Sequence, residues 1–356
     1  LADDKTMSQT LLYPIRFEPI YQYRIWGGRH LANLLSAPLP GDGPIGEAWV
    51  LSDRDDHPSQ VADGPLKGRT IAQVLEQFPT QAMGRLAGRF RRFPLLLKFL
   101  DAREMLSVQV HPGYVQTGDV QTGDVQTGDV QKSDVHTDLL PAGETGKTEA
   151  WVVLAAGMKS RIYAGLKPGT TEANLRLALA NGSVADRLAC FHPKPADAVF
   201  LPAGTVHSLG GGVVVFEVQQ NSDVTFRLYD WNHIDAKTGQ PRPLQVDQAL
   251  ACIDFADGSA GLVAPVVEAT TPVERERLFD CEHFRLWRLR GQSPFTVGAA
   301  DVPRVLVCID GEGRVEHEGA TYEAGEGDVF LLPAVLGACV FQPLRAVTVL
   351  EIEIPE

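Results

Sequence analysis

No stretch of this chain stays apolar over the roughly 20 residues that a membrane-spanning helix needs. Runs such as Val213–Phe216 and Phe93–Leu97 fall far short, so no membrane span is expected. The amino end has no charged segment followed by an apolar one, so no secretory signal is expected either. Cations are the minority: 32 Lys and Arg stand against 45 Asp and Glu, a net charge of −13. A nucleic-acid binder needs a basic face to displace counterions, which removes nucleic acid as a partner class. An anionic substrate must instead be met by a few local cations. Cysteine is sparse and scattered (Cys190, Cys252, Cys281, Cys308 and Cys339), with no CxxC pair. That pattern excludes a disulfide framework and a thiolate metal site, and fits buried, reduced thiols in a cytoplasmic protein.

What is present is globular. Hydrophobic residues make up 44% and charged residues 22% of 356, enough chain for about two domains. Short apolar or alternating runs are separated by Gly and Pro: Ala150–Leu154, Val199–Leu201, Val213–Gln220, Val224–Tyr229, Phe284–Leu289 and Val347–Glu353. This spacing predicts a mainly β protein of antiparallel sandwiches or barrels. Helical periodicity is confined to Arg69–Gln77, Gln81–Phe90 and Glu172–Ala180, the last closed by Asn181-Gly182. These helices are expected to decorate the sheets.

Two stretches repeat one unit. Ala196–Leu209 (ADAVFLPAGTVHSL) and Gly325–Ala338 (GEGDVFLLPAVLGA) share an Asp, an apolar run and L-P-A in the same seven-residue span, which points to an internal duplication. The expected units are residues 7–256 and 272–356, joined by a linker at Asp257–Pro272. A different repeat, VQTGD-VQTGD-VQTGD-VQKSD, fills Val115–Asp134. With one apolar residue in five it reads as a mobile polar surface loop. One coil of a β-solenoid is the alternative, but a single coil has no neighbour to stack on.

The strongest site signal is Leu106–Pro112, LSVQVHP. On a strand, Gln109 and His111 lie two apart and share a face. A Pro/Gly turn, P-A-G-T-V-H at Pro202–His207, delivers His207 to a strand start, and Glu149 in GKTEAW adds a carboxylate. Two imidazoles, a carboxylate and an amide oxygen suit zinc or another divalent ion, and a catalytic site keeps a position for water or substrate. Either histidine alone would read better as a satisfied core residue; the paired spacing and the turn reverse that.

Four further polar residues have no evident structural task. Ser107 shares the face of Gln109, and Lys147 that of Glu149. Arg227 sits between Phe226 and Leu228, where an unpaired charge is costly, with Asp223 four residues earlier. A Lys and an Arg near a metal suit an anionic substrate or a developing enediolate oxygen. The bland alternatives are a solvated loop lysine and an ion pair of Arg227 with Asp223 or Asp230.

Phe93–Pro112 (FPLLLKFLDAREMLSVQVHP), Gly146–Trp151 (GKTEAW) and Phe200–Trp231 resemble class I mannose-6-phosphate isomerases of the short bacterial type. YRIWGG at Tyr23–Gly28 and GEAW at Gly46–Trp49 resemble the same family, and the likeness covers nearly all of Tyr13–Glu356 apart from the pentapeptide block. The resemblance implies two jelly-roll (cupin) β-sandwich units, one zinc ion per chain and a sugar-phosphate substrate; the oligomeric state is not given by the sequence, and a monomer is favoured. It implies zinc ligands at Gln109, His111, Glu149 and His207, substrate-pocket residues at Ser107, Lys147 and Arg227, and Asp223 as the acidic partner of Arg227. One departure stands out: 37 residues separate His111 from Glu149, and twenty of them are the pentapeptide block. In the second unit Pro333 is kept, but Val335 and Ala338 replace the Gly and His of the turn, so no metal is expected there.

The implied reaction interconverts mannose 6-phosphate and fructose 6-phosphate through a cis-enediol. The ion polarises oxygens, Arg227 stabilises charge and Lys147 assists; the base is left unassigned. Isomerisation of another sugar, free or phosphorylated, is the alternative within the fold. A non-catalytic sugar-binding cupin is the alternative of another class, and predicts damage to the ligand set that this sequence lacks. A metal-dependent oxygenase fits less well, because Gln109 and the Lys/Arg pair suit hydroxyl and anionic ligands. Fold alone would not separate these.

Overall fold

The computed structural model describes residues 12–113, 115–116, 132–133, 139–140, 144–256 and 260–356. It is mainly β, built from two sandwiches that share a core. In the first, a six-stranded sheet faces a five-stranded one; in the second, a seven-stranded sheet faces a four-stranded one.

Alternation along the strands explains the stacking. Strand Leu95–Ala102 is buried at every position, as expected where both faces are covered. Leu95, Leu97 and Phe99 enter the core between the sandwiches, whereas Leu100 and Ala102 enter the interior of the first. Strand Arg304–Asp310 behaves alike: Val305 and Val307 face the shared core, and Leu306 and Cys308 the interior of the second sandwich. The two larger sheets thus lie back to back over one apolar layer. The smaller sheets lie outermost.

The duplicated motif occupies equivalent places. Ala198–Leu201 and Val329–Leu332 are strands of the larger sheets. Each chain then turns at the shared Pro and returns in a smaller sheet, as His207–Leu209 and Cys339–Pro343.

Several local expectations hold. The helix at Glu172–Ala180 has the bounds read from its pattern, opened by a Thr171/Asn174 capping box. Thr70 and Gln73 form the same box on Ile71–Gln77. Others change. The segment Gln81–Phe90 is one short helix, Pro79–Met83, and a 3-10 turn, Gly84–Leu86. Pro79 starts the helix, and Gly84 stops it at a φ of +54, where an added Cβ would lie 2.1 Å from the Asp301 carbonyl oxygen. The linker region Asp257–Pro272 carries the edge strand Val266–Ala269, paired with Glu274–Asp280. Ile15–Arg16 pairs with Leu331 and Phe330, so this short strand lies in the sheet of the second sandwich.

Of the pentapeptide block, Val115–Gln116 pairs antiparallel with Lys132–Ser133. The rest of that block, and with it the reading as a mobile loop, lies outside the described residues. Among the described residues no helix is long and apolar enough to cross a membrane.

Candidate metal centre

The site lies between the two sheets of the first sandwich. On the five-stranded sheet, register places His207 opposite Gln109 and Gln109 opposite Arg227, a polar row across three strands. On the facing sheet Glu149 begins the strand Glu149–Ala156, opposite Leu201 on one side and Gln219 on the other. The segment read as a strand at Leu106–Pro112 is regular only over Val108–Val110, because Pro112 has no amide to continue the ladder. His111 follows directly. Gly204, at a φ of +85, turns the chain towards His207 and donates its amide to the His111 carbonyl at 2.9 Å.

His111, Glu149 and His207 are all buried, and one ligand atom from each lies within 4.8 Å of the others. His111 Nε2 is 3.3 Å from Glu149 Oε2, and His207 Nε2 is 3.2 Å from Glu149 Oε1. Each ring's Nδ1 faces a backbone carbonyl: Val224 at 2.9 Å for His111 and Thr205 at 2.8 Å for His207. A carbonyl only accepts, so each Nδ1 carries the proton and each Nε2 turns a lone pair to the centre. Burial and the Lys147 charge push the His111 pKa down to about 3, and burial also lowers that of His207, so both rings are neutral near pH 7. Burial works against the Glu149 anion, yet the Lys147 ammonium beside it outweighs this and holds the carboxyl well below its ordinary value. Oε1 of that carboxylate has no hydrogen-bond donor. Glu149 Oε1 and His207 Nε2 face each other at 3.2 Å with no proton between them, and neutral imidazoles with a carboxylate are the donors a divalent ion takes. The cluster therefore fits a metal ion.

Gln109 presents its amide Nε2 to His207 Nε2 at 3.3 Å, while its Oε1 accepts from Ser107 Oγ at 3.1 Å. A half-turn of the amide would exchange the two atoms. Lys147 is buried rather than solvated, with Nζ 2.6 Å from Glu149 Oε2 and 3.0 Å from His111 Nε2. Its approach needs two glycines. A Cβ on Gly146 would come within 2.8 Å of Gly113 Cα, and one on Gly113 within 2.6 Å of Ala203 Cβ.

Arg227 departs from the expected pairing. Its Nη1 donates to the Pro243 carbonyl at 2.9 Å, while Asp230 holds Arg242 and Asp223 lies 3.6 Å from Lys98. The strand geometry explains this: Asp223 precedes Phe226–Tyr229 and projects towards the six-stranded sheet, where Lys98 resides. Burial, then the neighbouring Arg242, lower the Arg227 pKa.

Sequence reasoning missed the polar floor of the facing sheet. Lys98, inside an apolar strand, is buried with Glu217 at 3.4 Å and Asp223 at 3.6 Å, and stands over the Trp49 ring at 4.9 Å. Arg24 grips Glu47 through two bonds of 2.8 and 3.1 Å. Trp49 and Trp151 donate their indole N–H groups to Glu47 and Glu217. The available signal was a lysine in LLLKFL and a glutamate in VVVFEV, each a charge no core strand tolerates without a partner. Arg24, Glu47, Lys98, Trp151 and Glu217 line a cavity of about 420 Å³, together with Gln109, Lys147, Asp223, Arg227 and Arg242.

Comparison with known proteins follows the same lines. Residues 15–132 match the family model for the catalytic domain of type I phosphomannose isomerase. The chain is 32% identical to mannose-6-phosphate isomerase ManA of Bacillus subtilis over 335 residues, 91% of this chain and 94% of that protein. It is 28% identical to mannose-6-phosphate isomerase of Streptococcus mutans, covering 92% of this chain and 95% of that one. The crystal structure of mannose 6-phosphate isomerase from Bacillus subtilis superposes with a TM-score of 0.82 at 28% identity, over 96% of this chain and 99% of that one. A buried His–Glu–His centre, next to a cavity lined by Gln109, Lys147 and Arg227, on a sequence matched over 91% and a fold matched over 96% of the chain, gives the conclusion that the chain belongs to the mannose-6-phosphate isomerase family, type I.

Proposed function

We propose that this protein interconverts mannose 6-phosphate and fructose 6-phosphate, with a zinc ion held by Gln109, His111, Glu149 and His207. The observation that carries the reading is the convergence of two imidazole Nε2 atoms and a buried carboxylate beside a cavity lined by Lys98, Lys147 and Arg227. When bound, the ion supplies Lewis acidity to the oxygens of the reacting carbons.

The chain's own groups do the rest. Isomerisation removes a proton from C2, returns one to C1, and shifts negative charge between the two oxygens through a cis-enediol. Lys147 stands at the ligand carboxylate and can donate to a substrate oxygen there. Arg227, whose planar fork presents paired donors, meets charge from the opposite sheet. Ser107 orients the Gln109 amide. Asp223 is assigned to Lys98, which it keeps charged and in place with Glu217 and Glu47. Glu217 is the carboxylate best suited to carry the proton, because burial, reinforced by Glu149, raises its pKa and thus its basicity.

A coupled assay of the purified protein on mannose 6-phosphate, run beside free mannose, tests the reading. Turnover of the phosphate ester, lost on chelation and restored by zinc, supports it. Turnover of the free sugar alone would favour another aldose–ketose isomerase.

A further inference from the structure

The 37 residues between His111 and Glu149 pose a positional problem, since a long connection leaves Lys147 on an irregular stretch, residues 144–148. That stretch is pinned on both sides. Lys147 N donates to the Pro112 carbonyl at 3.0 Å, and Thr148 N donates to Gln220 Oε1 at 2.9 Å. Ahead of them, Glu144 accepts two parallel bonds from Arg54, 2.9 Å from Nη2 and 3.1 Å from Nη1, and a third from Ser222 Oγ at 3.2 Å. Neither Arg54 nor Glu144 lines the cavity.

We propose that Arg54 and Glu144 are positioning residues that act through Lys147. The pair joins three loops at one rim of the site: the loop after strand Ile45–Leu51, the approach to Lys147, and the turn before Asp223. Asn221 strengthens the junction by donating to the Asp53 carbonyl at 3.1 Å, one residue from Arg54. A lysine has a long stem and many rotamers, so holding its backbone is the cheapest way to hold its ammonium. Only two residues separate Glu144 from Lys147, so a slack Glu144 lets the ammonium drift from Glu149. The clamp thus insulates the site from the length of chain preceding it. The inference rests on the isomerase reading for its kinetic arm alone.

The experiment uses the full chain with Arg54→Lys and Glu144→Gln, each alone and on a Lys147→Met background. The fork is bidentate, so Arg54→Lys keeps the charge and loses the geometry. In the single variants kcat is expected to fall about 10- to 100-fold, with KM, metal content and melting temperature near parental. On the Lys147→Met background the same changes should have no further effect. A second readout needs no activity: acylation of Lys147, followed by mass spectrometry, should be roughly tenfold faster in Glu144→Gln. Parental kcat with unchanged acylation overturns the proposal. So does an equal loss of kcat on the Lys147→Met background, or loss of metal in step with kcat. A parent inactive on mannose 6-phosphate but with fast acylation in the variants would refute the isomerase reading and leave the clamp supported.

Discussion

Gln109 and Arg227 stand directly opposite each other on neighbouring strands, with His207 on the other flank of Gln109. The proposed metal ligands Gln109 and His207 and the guanidinium are thereby locked to one register, since a slip of one residue would turn each side chain to the far face. Arg227→Lys preserves this register and the charge but removes the fork. Turnover should fall about 10²–10³-fold with metal content and melting temperature unchanged. Unaltered kinetics would assign Arg227 to holding Pro243 alone.

His207→Ala removes one of the two Nε2 donors at Glu149. Elemental analysis of the parent should give one divalent ion per chain, and of the variant little or none. Removing a ligand also leaves Glu149 Oε1 facing empty space, so chelated parent and variant should match in activity. Full occupancy in the variant would refute the ligand assignment.

Glu47 should contribute to acid stability. Burial alone would raise its pKa, but Arg24 and Lys98 hold the carboxyl at about 2, below its ordinary 4.5. The folded protein therefore binds this proton later than the unfolded chain as pH falls. The stabilisation is complete above about pH 4.5 and is lost on the way down to about pH 2. It amounts to roughly 3 kcal/mol at most. In denaturant titrations, the gap in unfolding free energy between parent and Glu47→Gln should close by about that amount across this window. A gap that stays constant with pH would show that Glu47 titrates normally.

The pentapeptide block should be dispensable for the chemical step. Its first and last described residues already pair, Val115 with Ser133 and Gln116 with Lys132. Replacing residues 117–131 by Asn-Gly would close that ladder with a two-residue hairpin turn. Loop-closure entropy changes slowly with length, so the fold should lose little. Steady-state kinetics and metal analysis decide. Turnover lost while metal stays bound would assign the repeat a part in catalysis.

Sequence alone determined what depends on near neighbours. The helix Glu172–Ala180 was legible because its apolar spacing and its Asn181-Gly182 close are local signals. The sandwich class was legible because alternation with period two is a local pattern. So were the donor types at Gln109, His111, Glu149 and His207, since each stands in a short stretch whose spacing or turn has a chemical meaning. Tertiary structure decided what depends on which strands meet. Asp223 belongs to Lys98 rather than Arg227 because the chain turns towards the facing sheet just before its strand. Lys98 and Glu217, which sequence reasoning passed over inside apolar strands, become partners only once those strands pair with each other. Ile15–Arg16 settles beside Leu331 because that edge of the second sandwich is left open by everything folded in between. Such pairings bring together residues far apart along the chain, and no local pattern carries information about which distant edge remains free.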